Sequence, residues 1–308
     1  MEMQGKKPKV SVCVVTYNQE KYIGQCLQSI VDQKTDFDFE VIVGDDASTD
    51  KTSEIVRKFC EKYANIFKVV IHEKNIGPTK NYLSVHNLAQ GKYVAHIDGD
   101  DYALPGKLQA QSNNLDADSK RTVVWHRVDY FDDSGGFCSG KTADISVFNN
   151  GQVSFAEAIR MGFIGVHSSL MYRRSVRERN LFSHELLDIY FTWDFLSKGS
   201  GYVLDEVLGR YRVSSSGSVS VSSSRKICLL AIEHAYYFLN KFPEQRKNFF
   251  IWAFTNAIVD FKNLRPTFLN FLLLAVRSFS IVSLRIIFIN MTNIKKIRVR
   301  WNQKIALD

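Results

Sequence analysis

A doubly wound α/β domain with a mostly parallel sheet, followed by a helical extension, is the fold class these 308 residues predict. Three observations carry it. Short apolar, β-branched runs alternate with amphipathic helical patterns over the first hundred residues. Polar clusters stand at the carboxyl ends of three of those runs, where ligands sit in such sheets. The last third is long, apolar and basic, with helical spacing.

Val10–Thr16 is a continuous apolar run of the kind a buried parallel strand needs. Glu20–Gln33 follows as a helix with Tyr22, Ile23, Cys26, Leu27, Ile30 and Val31 on one face. Phe39–Gly44 is the second strand and runs into Asp45–Asp50. The next helix has Ile55, Val56, Phe59, Cys60 and Tyr63 on its apolar side. Phe67–Ile71 is the third strand. Asn75-Ile76-Gly77-Pro78 opens the helix that carries Lys80 and Asn81. Tyr93–Ile97 is the fourth strand. The pattern β-α-β-α-β-α-β gives right-handed crossovers between parallel strands.

The fourth strand ends in Asp98-Gly99-Asp100-Asp101, three carboxylates within four positions. Like charges this close repel. A divalent cation such as Mg²⁺ or Mn²⁺ would relieve them, since hard cations take carboxylate oxygens. Gly99 lets the backbone approach a ligand, and Pro105 suits the first turn of a helix. A solvated acidic turn is the plainer alternative. The clusters Thr16–Asn18 and Asp45–Asp50, at two other strand ends, argue for a ligand site. No Gly-x-Gly-x-x-Gly follows the first strand and no P-loop occurs, which disfavours a dinucleotide cofactor.

Five scattered cysteines, Cys13, Cys26, Cys60, Cys138 and Cys228, form no Cys-x-x-Cys pair, which fits a reducing compartment. The run Val10–Val15 is too short for a signal-peptide core. From Arg225 onward there are 14 Lys+Arg against 4 acids, a net +10; the whole chain is +8, so residues 1–224 carry −2. The basic character therefore belongs to the last third. Its apolar spacing, with no exposed aromatic platform, disfavours nucleic acid as the partner.

The stretches VSVCVVTYNQEKYI, VIVGDDASTDKT, NIGPTKN and GKYVAHIDGDDYALPGKL, in this order and spacing over residues 8–115, resemble the bacterial inverting glycosyltransferases of family 2, which have the GT-A nucleotide-sugar fold. LLDIYFTWDFLSKGSGYVLDEVLGRYRVSSSGSVS, residues 186–220, resembles the acceptor-side segment of that family. The likeness fades after residue 222. It implies a catalytic domain over 1–222, with a donor half over 8–115 and an acceptor half over 120–222, and a basic helical region over 223–308.

The resemblance also implies roles. Thr16, Tyr17 and Asn18 would line the nucleotide pocket. Asp46 would accept from the uracil imide, with Asp45 supporting its loop. Lys80 and Arg212 would stand near the diphosphate. Asp98 and Asp100 would hold Mn²⁺ or Mg²⁺, Asp100 as the direct ligand and Asp98 toward the ribose or the metal shell. Asp101 would orient the donor sugar or cap the helix at Pro105. Asp188 would be the general base, with Asp194 and then Glu185 as competitors. His167, on a strand-like stretch, would touch the acceptor sugar or be a plain part-buried histidine. Relatives often have a metal-shell histidine after the Tyr-Arg pair; here Ser214 follows Val213.

The expected reaction moves a hexose such as glucose or galactose from a UDP-sugar to a polyprenyl-diphosphate-linked HexNAc, in O-antigen or capsule synthesis. A UDP-HexNAc or dTDP-sugar donor with a different glycan acceptor, or a sugar nucleotidyltransferase, is the alternative. Helices are expected at Lys226–Lys241 and Gln245–Lys262, broken near Pro243, and over Thr267–Asn290. Arg277 and Arg285 interrupt the last, and its charge-free run Pro266–Val276 is too short to span a bilayer. The expectation is a peripheral helix at the inner face of the bacterial plasma membrane, with Lys295–Arg300 on anionic headgroups. Packing on the catalytic domain or on a second subunit is the alternative.

Overall fold

The computed structural model describes residues 7–133, 136, 148–177, 185–213, 224–279 and 281. They divide into two compact units. The first draws on Met1–Ala143, Gly165–Ser183 and Ser200–Gly217, the second on Asp144–Ile164, His184–Gly199 and Ser218–Asp308. The units are interleaved in sequence: parts of the expected acceptor half, 144–164 and 184–199, belong with the C-terminal helices.

The first unit is built on one sheet. Its strands are β1 (Val10–Thr16), β2 (Phe39–Asp45), β3 (Phe67–Ile71), β4 (Tyr93–Asp98), β5 (Tyr102–Ala103), β6 (Arg121–Phe131), β7 (Met171–Arg173) and β8 (Ser200–Arg212), in the order β3-β2-β1-β4-β7-β6-β8-β5. The first four are parallel. Thr16 stands opposite Asp45 and Val15 opposite Asp98, so three strands end level with one another. The short β7 runs antiparallel between β4 and β6. β6 and β8 are parallel, with register shifts near His126–Val128. β5 pairs antiparallel with the end of β8, Tyr102 opposite Arg210.

Alternation along β1 explains the double winding. Val12 and Val14 join the core against Ile23, Leu27 and Ile30 of α1 (Ile23–Val31), with Val56 of α2 (Thr52–Lys62) and Leu108 of α4 (Lys107–Ala117). Cys13, one residue out of phase, faces the other way and donates to the Val85 carbonyl of α3 (Pro78–Leu88). Pro78 occupies the first turn of α3, where its missing N–H costs nothing, and Gly77 before it has φ +88°. The helix expected from Pro105 begins instead at Lys107. Tyr102–Ala103 is strand, and Gly106 turns the chain at φ +86°.

The second unit is helical: α5 (Phe155–Met161), α6 (Asp188–Leu196), α7 (Ser224–Lys241), α8 (Arg246–Lys262) and α9 (Phe268–Arg277). Ser154 and Glu157 form a reciprocal capping box at the start of α5. α6 is apolar nearly all round, and every residue from Ile189 to Leu196 is buried. Trp193 centres the unit, edge-on to Phe238, Phe249 and Trp252, with its indole N–H donated to Ala158. α9 buries Phe271, Leu274 and Ala275 and leaves Leu269, Leu273 and Val276 exposed. Among the described residues no helix is long and apolar enough to cross a membrane. Arg285 and Lys295–Arg300 lie outside the described residues.

Asp116 at the end of α4 fastens the start of β1 and β4. It takes Lys9 at 2.8 Å and both Lys92 and the Tyr93 hydroxyl at 2.5 Å. Burial works against its charge, but these donors hold its carboxyl well below the usual range. A depressed folded-state pKa stabilises above the unfolded value of about 4 and loses that contribution as pH falls. The urea midpoint of the wild type should therefore drop more than that of Asp116→Asn between about pH 5 and about pH 3. Parallel acid limbs would show that the clamp contributes nothing.

Candidate active site

The loops after β1 and β2 are locked together. Asn18 is left-handed, at φ +50°, and its side-chain oxygen accepts from the Thr49 N–H while its own N–H donates to Ser48. The Gln19 N–H reaches the Thr52 hydroxyl, and Glu20 and Lys51 exchange contacts through Asp50 and Glu20. Asp45 is fully buried and accepts from Ser48 and Ser53, so it braces this loop. Asp46, also buried, spans to the next loop: its oxygens accept from the N–H groups of Ile76 (2.7 Å) and Gly77 (3.0 Å). Thr16 is buried and donates to Gln19, whereas Tyr17 is 45% exposed. Lys80 is exposed in the first turn of α3.

Gly99 lies against the end of β1, its N–H on the Val15 carbonyl at 2.9 Å. A Cβ here would come within 2.9 Å of the Thr16 Cβ and 2.5 Å of the Gln19 Oε1. The close approach that requires glycine is thus to protein.

The three carboxylates beside it have separate environments. Asp98 is about a third exposed at its side chain (34%). Its Oδ1 meets His96 Nε2 at 3.0 Å, and its Oδ2 accepts from the Ser168 hydroxyl at 3.2 Å. Burial would raise its pKa; His96, His167 and Ser168 outweigh it and hold the carboxyl down at about 2. Asp101 is buried and accepts from the Arg212 N–H at 2.7 Å. Burial, then the charges of Asp100 and Asp98, push it well above the usual range. It does not cap α4, which has no side-chain cap, so the capping role is ruled out. Asp100 offers its carbonyl to Arg212 Nε at 3.1 Å.

Arg212, expected near a diphosphate, is buried between the rings of Tyr22 and Phe131, at 4.2 and 4.3 Å. Its guanidinium also bonds Asp133 at 3.0 Å, and Tyr22 closes the ring on the same carboxylate. Lys107 is wholly buried and donates to the Ser168 carbonyl. Burial lowers its pKa to about 8, against the pull of Asp101, Cys26 and Asp98.

His167 begins a single 3-10 turn, His167–Ser169, rather than a strand; the strand starts only at Met171. Its ring lies 4.1 Å from that of His96. One ligand atom each from His96, Asp98 and His167 falls within a 4.8 Å span. Asp100, expected as the direct ligand, is not part of this group. His96 was not singled out in the sequence. The signal was there: on a strand, residues two apart share a face, so His96-Ile97-Asp98 puts imidazole beside carboxylate.

In the second unit Asp188 is the first residue of α6 and half-buried. Asp194 is buried and ion-paired with Lys198 at 2.8 Å. Glu185 is exposed and pairs with Lys226 at 2.7 Å. Ser214 lies outside the described residues.

Residues 11–179 match the family model described as glycosyl transferase family 2. The chain belongs to that family. A Mycobacterium tuberculosis relative of uncharacterized role is 39% identical over 120 residues, 39% of this chain; the match spans only about a third (35%) of the relative's length. The Bacillus subtilis protein named teichuronic acid biosynthesis glycosyltransferase TuaG is 28% identical over 225 residues, 72% of this chain and 85% of TuaG. The crystal structure of S. aureus TarS 1–349 in complex with UDP-GlcNAc superposes with a TM-score of 0.63 at 26% identity, covering 80% of this chain and 70% of that one. The sheet and flanking helices are thus the GT-A fold, here with a helical C-terminal extension.

A divalent cation, implied by the family 2 resemblance, fits the residues present. The half-buried Asp98 carboxylate and the neighbouring His167 imidazole, within one ion's reach, are donors that Mn²⁺ accepts.

Gly99→Ala should cost about 1–3 kcal/mol in urea denaturation, because Thr16 and Gln19 must be pushed apart. A loss under about 0.5 kcal/mol would show that the two strand ends are not this tightly joined.

Proposed function

We propose that this family 2 chain is an inverting glycosyltransferase that takes a UDP-sugar as donor and adds the sugar to a lipid-linked acceptor in bacterial surface-polysaccharide synthesis. The observation that carries the reading is the group of His96, Asp98 and His167, whose Asp98 stands at the end of β4, level with the ends of β1 and β2 and their interlocked loops. Thr16, Tyr17 and Asn18 belong to the same loops and are assigned to the nucleotide, with Lys80 toward the diphosphate. Asp46 is assigned to the uracil imide; its two backbone contacts hold it in place and leave lone pairs, since a carboxylate has about four.

Asp98, with His167 beside it, would hold the cation, and His96 and Ser168 orient the carboxylate. When bound, the cation supplies positive charge against the departing diphosphate. Arg212 keeps the Asp100 backbone in place rather than meeting the donor. Asp188 is assigned as base, as the family 2 resemblance implies; Asp194, paired with Lys198, and Glu185, paired with Lys226, are the alternatives. The acceptor oxygen bonds to the anomeric carbon as its proton passes to Asp188, and the C–O bond to the diphosphate breaks with its electron pair. Attack opposite the leaving group inverts the centre.

A hexose donor with a polyprenyl-diphosphate HexNAc acceptor is the reading that the motifs suggest; TuaG, named for teichuronic acid biosynthesis, supports a surface polymer. TarS bound to UDP-GlcNAc favours a second reading, a UDP-HexNAc donor. The exposed Leu269, Leu273 and Val276 on α9, with Phe279 and Ile281 after them, suit shallow contact with the cytoplasmic face of a membrane; a second copy of the chain is the other occupant.

The test is UDP release from a panel of nucleotide sugars with a short-lipid GlcNAc-diphosphate acceptor. One UDP-sugar should be preferred, EDTA should abolish turnover, and Asp188→Asn should lower the rate about 10²–10⁴-fold. Unchanged turnover in the variant would remove Asp188 as base. Formation of UTP and sugar 1-phosphate from the UDP-sugar when inorganic diphosphate is added, with no transfer to the acceptor, would indicate a nucleotidyltransferase.

A further inference from the structure

Behind Asp98 runs a buried polar chain that the roles above do not use. His96 Nε2 meets Asp98 Oδ1 at 3.0 Å, His96 Nδ1 meets His86 Nε2 at 3.1 Å, and His86 Nδ1 meets the Tyr172 hydroxyl at 2.8 Å. His96 and Tyr172 have no exposed surface and His86 almost none. Tyr82 is stacked on His86 with ring centres 3.7 Å apart, which fixes the plane of that ring. All four residues lie in the first unit, on α3, β4 and β7.

The protons along this chain follow from its outer end. A carboxylate only accepts, so the proton between Asp98 and His96 sits on His96 Nε2. A neutral imidazole then accepts at Nδ1, so His86 must donate from its Nε2. His86 in turn accepts at Nδ1, and the phenol of Tyr172 donates. Each group has one assigned role, and both nitrogens of His96 are used within the chain. Burial disfavours the charged form of the His86 ring.

We propose that Tyr172, His86 and His96 form a tautomer-locked positioning device for the Asp98 carboxylate, in which His96 acts through Asp98 and is not itself a cation ligand. The proposal rests on the reading of Asp98 as the cation-holding carboxylate. Ser168 holds the second oxygen and also receives the Asp98 N–H at 2.9 Å, so the carboxylate is gripped from both sides. The cation is left to Asp98 and the neighbouring His167. Outer partners of this kind set ligand orientation and basicity, and their loss commonly weakens metal affinity by about 10–100-fold.

Two measurements test it. Nitrogen-15 NMR of histidine-labelled wild type, without metal, should show His96 and His86 as neutral Nε2–H tautomers, and added Mg²⁺ should leave the His96 Nε2 signal protonated. Mn²⁺ affinity by electron paramagnetic resonance, with no sugar donor present, should fall about 3–10-fold in Tyr172→Phe and about 10–100-fold in His96→Leu. His96→Gln, whose amide N–H can still reach Asp98, should recover most of the loss. An Nδ1–H or doubly protonated His96, or loss of the Nε2 proton on adding Mg²⁺, would overturn the proposal. So would a Tyr172→Phe variant that is less stable but binds Mn²⁺ as the wild type does. If the wild type binds no Mn²⁺, the cation reading of the site fails, and the tautomers alone decide the chain.

Discussion

The structure around the site depends on keeping three like charges together at one strand end. Two unit charges about 4 Å apart repel by about 4 kcal/mol at the effective dielectric of a protein surface. That exceeds what a typical exposed salt bridge returns, about 0–1 kcal/mol. The chain handles each carboxylate differently. Asp98 keeps its charge, held by His96 and Ser168. Asp101 is buried where its charged form is disfavoured, and it faces a backbone N–H. Between them Asp100 has its carbonyl under Arg212. Lys107 stands beneath the group as a buried positive charge. The result is that Asp98 and Asp100 stay half-buried while Asp101 is enclosed, and the Asp98 carboxylate stands at the level ends of the parallel strands.

Sheet topology delivers these partners from distant parts of the sequence. Tyr102 pairs with Arg210, which brings Arg212 over the acidic loop that precedes β5. Ser168 and His167 arrive on the turn that leads into β7, which lies beside β4. Gly99 lets β4 close against β1, and the Asn18–Ser48–Thr49 contacts weld the first two loops into one rim. Packing, register and charge compensation therefore support the same few residues.

The parallel half of the fold was legible because its strands are continuous β-branched runs between periodic helices. The loops were legible because Asp, Asn and Gly clusters fell at strand ends. What could not be read was the fate of individual charges. Arg212 and Lys107 look like solvent-facing residues in a sequence, and burial of a cation depends on partners over a hundred or sixty residues away. His96 was hidden inside an apolar strand, and His86 inside a helix. The start of α4 moved because a two-residue strand and a left-handed Gly106 intervene, features too short for a periodicity to register. The assignment of 144–164 and 184–199 to the helical unit is likewise a matter of long-range packing.

The central claim is that Asp98 couples a divalent cation to a nucleoside diphosphate at these strand ends. Calorimetric titration of UDP into the protein, with and without Mn²⁺, for wild type and Asp98→Asn, tests it most directly. The account predicts that Mn²⁺ tightens UDP binding in the wild type by about tenfold or more and that Asp98→Asn abolishes this coupling while the protein stays folded. UDP affinity that is the same with and without Mn²⁺, or coupling that survives in Asp98→Asn, would contradict it.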